Sequence, residues 1–129
     1  GGRELKKFFL VPLLLIYINC SSAAVNYTTE NKALLGKTIA ELRQTAVNNQ
    51  YEELEKYFLP TFKNNIVLKY LKQYDLSKVN IIVSEPSFER NGRAKNVTIL
   101  NYASESMYFN ITWKFVEDEW KIQNVAESK

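Results

Sequence analysis

Apolar positions along this chain change their spacing twice. From Phe8 to Ile18 they run almost without interruption, and three basic residues, Arg3, Lys6 and Lys7, precede them. From Leu34 to Leu71 they recur every three to four residues, the period of a helix with one buried face. From Val79 onward they alternate, the period of a strand with one buried face. The chain therefore predicts an apolar leader, a helical segment and a sheet, in that order.

Within the helical segment, Thr28-Thr29-Glu30 carries a start signal, because threonine caps free amides and an acid suits the positive helix end. Leu34, Leu35, Ile39, Leu42, Ala46 and Val47 then form one stripe, which Asn48-Asn49-Gln50 breaks. Tyr51, Leu54, Tyr57 and Phe58 make a second, short helix that Pro60 ends by moving Leu59 out of helical geometry. A third helix is expected from Thr61 to about Tyr74, with Phe62, Ile66, Tyr70 and Leu71 on its inner side.

In the alternating part, Val79, Ile81 and Val83 mark a strand closed by Pro86. Asn91-Gly92 lies between two extended segments, and both residues tolerate positive φ, the condition for a tight hairpin. Met107, Phe109, Ile111, Trp113 and Phe115 alternate with Tyr108, Asn110, Thr112, Lys114 and Val116, a long strand with one apolar face. Glu117-Asp118-Glu119 turns it, and Trp120 to Val125 returns. Helices first and an antiparallel sheet second define an α+β domain whose helices cover one sheet face.

The leader is eleven residues, about 16 Å as a helix against about 30 Å of hydrocarbon, too short for a comfortable transmembrane span. Its basic flank and length fit an export signal. Two processing readings stay open over residues 1–24. Ile18-Asn19-Cys20-Ser21 resembles the lipidation site of a bacterial lipoprotein, with Cys20 as anchor and with Tyr17 and Asn19 departing from that pattern. Ser22 and Ala24 alternatively supply a cleavage site after Ala24. A lipid-anchored protein of the bacterial cell envelope is the first expectation and a soluble periplasmic or secreted one the second. Residues 25–31 read as a tether and 32–129 as the domain.

Charge and chemistry narrow the function. Three of the seventeen basic residues and one of the fourteen acidic ones precede Cys20, which leaves fourteen against thirteen, a formal +1. No Lys/Arg cluster suits a nucleic-acid backbone, so nucleic acid is not expected as a partner. Histidine is absent, which removes the commonest general base and neutral metal ligand. No metal or cofactor is expected. Glu52, Glu53 and Glu55 complement a helix start, Glu117-Asp118-Glu119 reads as a solvated hairpin tip, and Asp75 reads as a cap. Asn26, Asn96 and Asn110 each begin an Asn-x-Thr glycosylation pattern, and the strand faces holding the last two read as polar and solvent-facing.

Asn49-Gln50-Tyr51-Glu52-Glu53-Leu54-Glu55-Lys56-Tyr57-Phe58 and the closing Phe115-Val116-Glu117-Asp118-Glu119-Trp120-Lys121-Ile122 resemble small exported domains of the nuclear-transport-factor-two-like (cystatin-like) superfamily, over roughly residues 32–126. That resemblance implies three N-terminal helices on a strongly bent antiparallel sheet of four to five strands, a cone with a pocket at its open end. Tyr57, Phe62, Tyr70, Phe109 and Trp113 are the candidates for lining that pocket, and plain core packing is the competing reading. Tyr108, Asn110, Thr112 and Lys114 make a mixed outer face suited to a homodimer, a habit of the superfamily.

No catalytic residue set stands out. The expected function is a non-catalytic, envelope-tethered or secreted binding module, holding a small amphiphilic ligand in an apolar pocket. The alternatives are a small-molecule enzyme of isomerase or hydrolase type, using a pocket carboxylate or tyrosine, and a structural accessory subunit of an envelope complex. The fold hosts all three classes.

Overall fold

A computed structural model of the protein describes residues 28–128. Cys20, the cleavage site after Ala24 and Asn26 lie outside the described residues. Helix α1 runs Thr29–Val47, with the Thr28 side chain accepting from the Asn31 amide at 3.0 Å as the start signal predicts. Helix α2, Tyr51–Leu54, continues into a 3-10 turn, Glu55–Tyr57. Helix α3, Phe62–Leu71, is capped by Thr61 and is shorter than its apolar pattern suggests. Five strands follow: β1 Asn80–Val83, β2 Ser87–Glu89, β3 Arg93–Tyr102, β4 Glu105–Val116 and β5 Glu119–Glu127.

All strands pair antiparallel in the order β1-β3-β4-β5, and β2 shares the β3 edge with β1. Pro86 explains the divided edge, since it offers no amide to continue the ladder. At the break the Ser84 hydroxyl accepts from the Val97 amide at 2.8 Å, standing in for a strand carbonyl. Between β4 and β5 the register slips by one residue: Thr112 faces Asn124, whereas Trp113 faces Ile122. Gln123 is the extra residue of a β-bulge, a device that bends and twists a strand.

The bulge is stitched to the helical layer. Asn64 of α3, 0% exposed, donates through Nδ2 to the carbonyls of Leu59 at 2.8 Å and Ile122 at 3.1 Å. Leu59 N–H also donates to the Ile122 carbonyl at 2.9 Å. Residues around a bulge lose regular ladder partners, and Asn64 supplies some of them. Its own Oδ1 has no partner.

The helices cover one face of the sheet, and the core there is filled at one end. Leu35 of α1 is fully buried. Phe88 and Phe115 meet the Trp120 ring at centroid distances of 5.8 and 5.1 Å. The Trp120 indole N–H donates to the Asn31 carbonyl at 2.9 Å, tying β5 to the start of α1. The apolar stripe of α1 and the closing strand thus meet as their patterns predict.

Two orientations differ from expectation. Phe62, assigned to the inner side of α3, is 80% exposed. The helix instead buries Asn64 and Leu68, and from that side Asn64 bonds the carbonyls of Leu59 and Ile122 beside the bulge. Asn96, assigned to a solvent-facing strand face, is 5% exposed and lies on the helix-covered face with Ala94. That burial leaves no access for a glycan, whereas Asn110 is exposed on the opposite face.

Candidate functional site

At its other end the same interior holds a cavity of about 450 Å³, which opens between α1, α3 and the helix-covered face of the sheet. Its walls follow from periodicity. Helix α1 contributes Ile39, Leu42 and Ala46 from its stripe, and β4 contributes Met107, Phe109, Ile111 and Trp113 from alternate positions. Ile81 and Val83 of β1, Leu100 of β3 and Val125 of β5 close the apolar surface. Val125 reaches this face because the bulge at Gln123 switches the parity of β5, three residues after Ile122 instead of two.

Polar groups in the lining are few. On the sheet wall, the Trp113 indole N–H donates to Asn96 Oδ1 at 2.7 Å, and Asn96 Nδ2 donates to Thr98 Oγ1 at 3.1 Å. This chain leaves the indole N–H and the amide satisfied inside the wall. The Thr98 hydroxyl keeps its own proton for a further acceptor. Toward the solvent edge stand the Arg43 guanidinium and the Glu127 carboxylate, both exposed. Tyr70, 41% exposed, and Ile66, 52% exposed, complete that edge. Tyr74 O–H donates to Tyr70 O–H at 2.8 Å, and that bond, before burial, raises the Tyr74 pKa above the ordinary phenol value. The Tyr74 ring also meets Tyr102 edge-on at 5.8 Å, so a small aromatic cluster braces this edge.

Of the five aromatic candidates, the structure brings Tyr70, Phe109 and Trp113 to the cavity. Phe62 points into solvent instead. Tyr57 is half-buried against the core, with the Lys56 ammonium 5.9 Å from its ring centroid, and does not line the cavity. Sequence reasoning missed Asn96, Thr98 and Arg43. Only Asn96 and Thr98 carried a signal: their even spacing with Ala94 and Leu100 places all four on one strand face.

Asp75 sits apart from the cavity. Its carboxylate accepts from Asn49 Nδ2 at 2.7 Å and from the Ser77 amide at 3.2 Å, and it caps the 3-10 turn Leu76–Lys78. The Asn49 bond first, then Ser77, holds its pKa below the usual carboxylate value. Asn49 itself, at φ 56°, accepts from the Leu76 amide at 2.8 Å and from Tyr51 O–H at 2.9 Å. Those partners engage Asp75 in joining two loops.

Among the described residues no group of three His, Cys, Asp or Glu side chains could hold a metal ion. No described helix is long and apolar enough to cross a membrane. Tyr108, Asn110, Thr112 and Lys114 alternate with the cavity-lining residues of β4 and so occupy the opposite face of the sheet.

An α+β domain with three helices on an open, five-stranded antiparallel sheet, and a cavity between them, has the nuclear-transport-factor-two-like fold. An NTF-2-like protein of unknown function from Shewanella oneidensis MR-1 superposes with a TM-score of 0.58 over 78% of this chain and 98% of its own. Only 12% of the aligned residues are identical, so the likeness is one of fold. No family model matches the sequence, and no curated protein is significantly similar to it.

Proposed function

We propose that the protein is a non-catalytic binding module, exported to the cell envelope or secreted, that holds a small amphiphilic ligand. The observation that carries this reading is the cavity. Its volume of about 450 Å³ falls in the range of small-molecule pockets, roughly 300–1,000 Å³, and its lining is apolar with polar groups at two places. An apolar tail would run along Leu42, Phe109 and Ile111, and a polar head would meet Arg43 and Glu127 at the solvent edge. Thr98 offers one hydrogen bond within.

Support for binding over turnover comes from the titratable groups. The chain has no histidine, Glu127 at the edge is exposed, and Asp75 is engaged by Asn49 and Ser77. A general acid or base needs a pKa moved toward neutrality, and the Asp75 shift runs the other way.

Calorimetric titration of the whole chain with dodecanoate, below its micellar concentration, tests the reading. Saturable binding is expected, weakened at least tenfold by Val83→Trp, which puts an indole into the cavity. Titration heats no larger than dilution, or wild-type affinity in Val83→Trp, would remove the cavity as a ligand site.

A further inference from the structure

We propose that the exposed Phe62–Ile66–Tyr70 face of α3 docks on an anionic lipid surface and sets the mouth of the cavity against the bilayer. These three residues lie four apart, and at about 100° per residue they span an arc of only about 80°. They form one continuous stripe, and the opposite side of the helix is the buried one, with Asn64 and Leu68. Phe62, the largest apolar side chain of the helix, is the most exposed of the three. A scattered surface apolar residue needs no explanation, but an aligned phenylalanine, isoleucine and tyrosine make a patch that favours burial.

Charge decides what covers it. Lys69 and Lys63 flank the stripe, each about 20° beyond its two edges, and both are exposed. The helix sequence FKNNIVLKYL contains no acid. Lys72, just past the helix, lies 3.7 Å from Glu55 and is partly neutralised. Arg43 adds a further cation at the cavity edge, against Glu127 there and Glu105 near Tyr74. An apolar stripe between lysines is the arrangement that lies in a lipid interface, the ring of Phe62 below the headgroups and the ammonium groups among the phosphates. A second copy would fit poorly, since stripe-to-stripe contact brings the four lysines of two helices together.

The position of the stripe gives it a purpose. Ile66 and Tyr70 belong both to the stripe and to the cavity lining. A lipid surface covering the stripe would therefore cover the cavity mouth, and an amphiphile could pass between bilayer and cavity with its tail shielded from water. Docking goes beyond the ligand reading and does not rest on it, since a lipid surface would cover the stripe whether or not the cavity is filled.

The test uses the whole chain with Cys20→Ser, so that a single new cysteine carries an environment-sensitive fluorophore. Phe62→Cys reports on the stripe and Asn110→Cys on the opposite face of the sheet; both positions are exposed, so neither change opens the core. Vesicles of phosphatidylglycerol are expected to shift the emission at position 62 to the blue and to leave position 110 unchanged. Lys63→Gln and Lys69→Gln should each weaken the response about fivefold, the effect of removing one cation near an anionic surface. A shift at both positions, at neither, or equally with phosphatidylcholine vesicles would overturn the proposal. A shift at position 62 without lipid, growing with protein concentration, would assign the stripe to a second copy. Dodecanoate titration of the Lys63→Gln/Lys69→Gln variant separates the two readings, because docking would be lost while cavity binding stays within twofold.

Discussion

The Trp113 indole N–H donates to Asn96 Oδ1 at 2.7 Å across β3 and β4, and both residues are almost wholly buried. The pair lets a large aromatic ring stand in the cavity wall without an orphaned donor. Removing either partner leaves the other unsatisfied, which costs about 1–3 kcal/mol beyond any packing loss. We expect Asn96→Ala to lower unfolding stability by about 2 kcal/mol and Trp113→Phe by about 2–3 kcal/mol. The double variant should lose about 1 kcal/mol less than the sum, because its second change removes a bond already broken. Urea unfolding of the four proteins measures this coupling; strict additivity would show that water, and not Asn96, satisfies the indole.

Asn64 is the second buried polar residue that the fold depends on. Asn64→Leu keeps the volume and removes the side-chain donor to the Leu59 and Ile122 carbonyls. Those carbonyls keep the Thr61 and Leu59 amides, so the cost is that of a net hydrogen bond, about 1 kcal/mol. Asn64→Asp should cost more, since it aims carboxylate oxygens at the carbonyls of Leu59 and Ile122. Equal stabilities for the two variants would mean that Asn64 acts through its volume alone.

Phe62 and Leu68 belong to one helix and should respond in opposite ways. Phe62→Ser is expected to stay within about 0.5 kcal/mol of wild type, the usual range for an exposed site. Leu68→Ala should cost about 2–4 kcal/mol, as it empties a buried position. A loss above about 1.5 kcal/mol for Phe62→Ser would place its ring against the core and refute the exposed stripe.

These residues also mark where the sequence was legible. Helix α1 and strand β4 each have one apolar face, so periodicity alone orients them, and Ile39, Leu42, Phe109 and Ile111 line the cavity accordingly. In α3 apolar residues occur on both sides, Phe62, Ile66 and Tyr70 on one and Val67, Leu68 and Leu71 on the other. Hydrophobicity cannot choose between them; a tertiary hydrogen bond from Asn64 does. β3 is ambiguous in the same way, since Asn96 and Thr98 share a face with Ala94 and Leu100, while Val97 and Ile99 occupy the other. There the choice falls to Trp113, whose indole needs an acceptor, and that partner is seventeen residues away in the chain. Local pattern reaches elements and their faces where one face is clean. Buried polar pairing fixes the rest.

Asp75 provides a pH dependence whose direction follows from its bonds. Hydrogen bonds from Asn49 and Ser77 favour the carboxylate in the folded state, so its pKa there lies below the unfolded value. The group therefore contributes stability that is fully present above the unfolded pKa, near 3.9, and that is lost as the pH falls through the folded pKa. Asp75→Asn should be less stable than wild type at pH 7. The gap should narrow as the pH drops below about 4. Thermal melts from pH 7 to pH 2 follow it; a gap that widens on acidification would contradict the assignment.

The β4–β5 hairpin turns on Glu117 and Asp118, both in the left-handed region at φ 52° and 65°. Two successive positive φ values suit Asn-Gly, and the chain uses that pair at φ 68° and 71° for Asn91-Gly92 in the three-residue β2–β3 connection. Glu and Asp carry side chains that resist this geometry, the glutamate most. Asp118→Gly should therefore raise stability by about 0.5–1 kcal/mol, and Glu117→Asn with Asp118→Gly by more. Three adjacent acids offer a rival cause, since any neutral replacement would relieve their repulsion. Asp118→Asn distinguishes the two, as it removes the charge and keeps a side chain at positive φ. If backbone strain governs the turn, Asp118→Gly stays ahead of Asp118→Asn, and the difference persists in 0.5 M salt (a Debye length of about 4 Å), where exposed charges are screened.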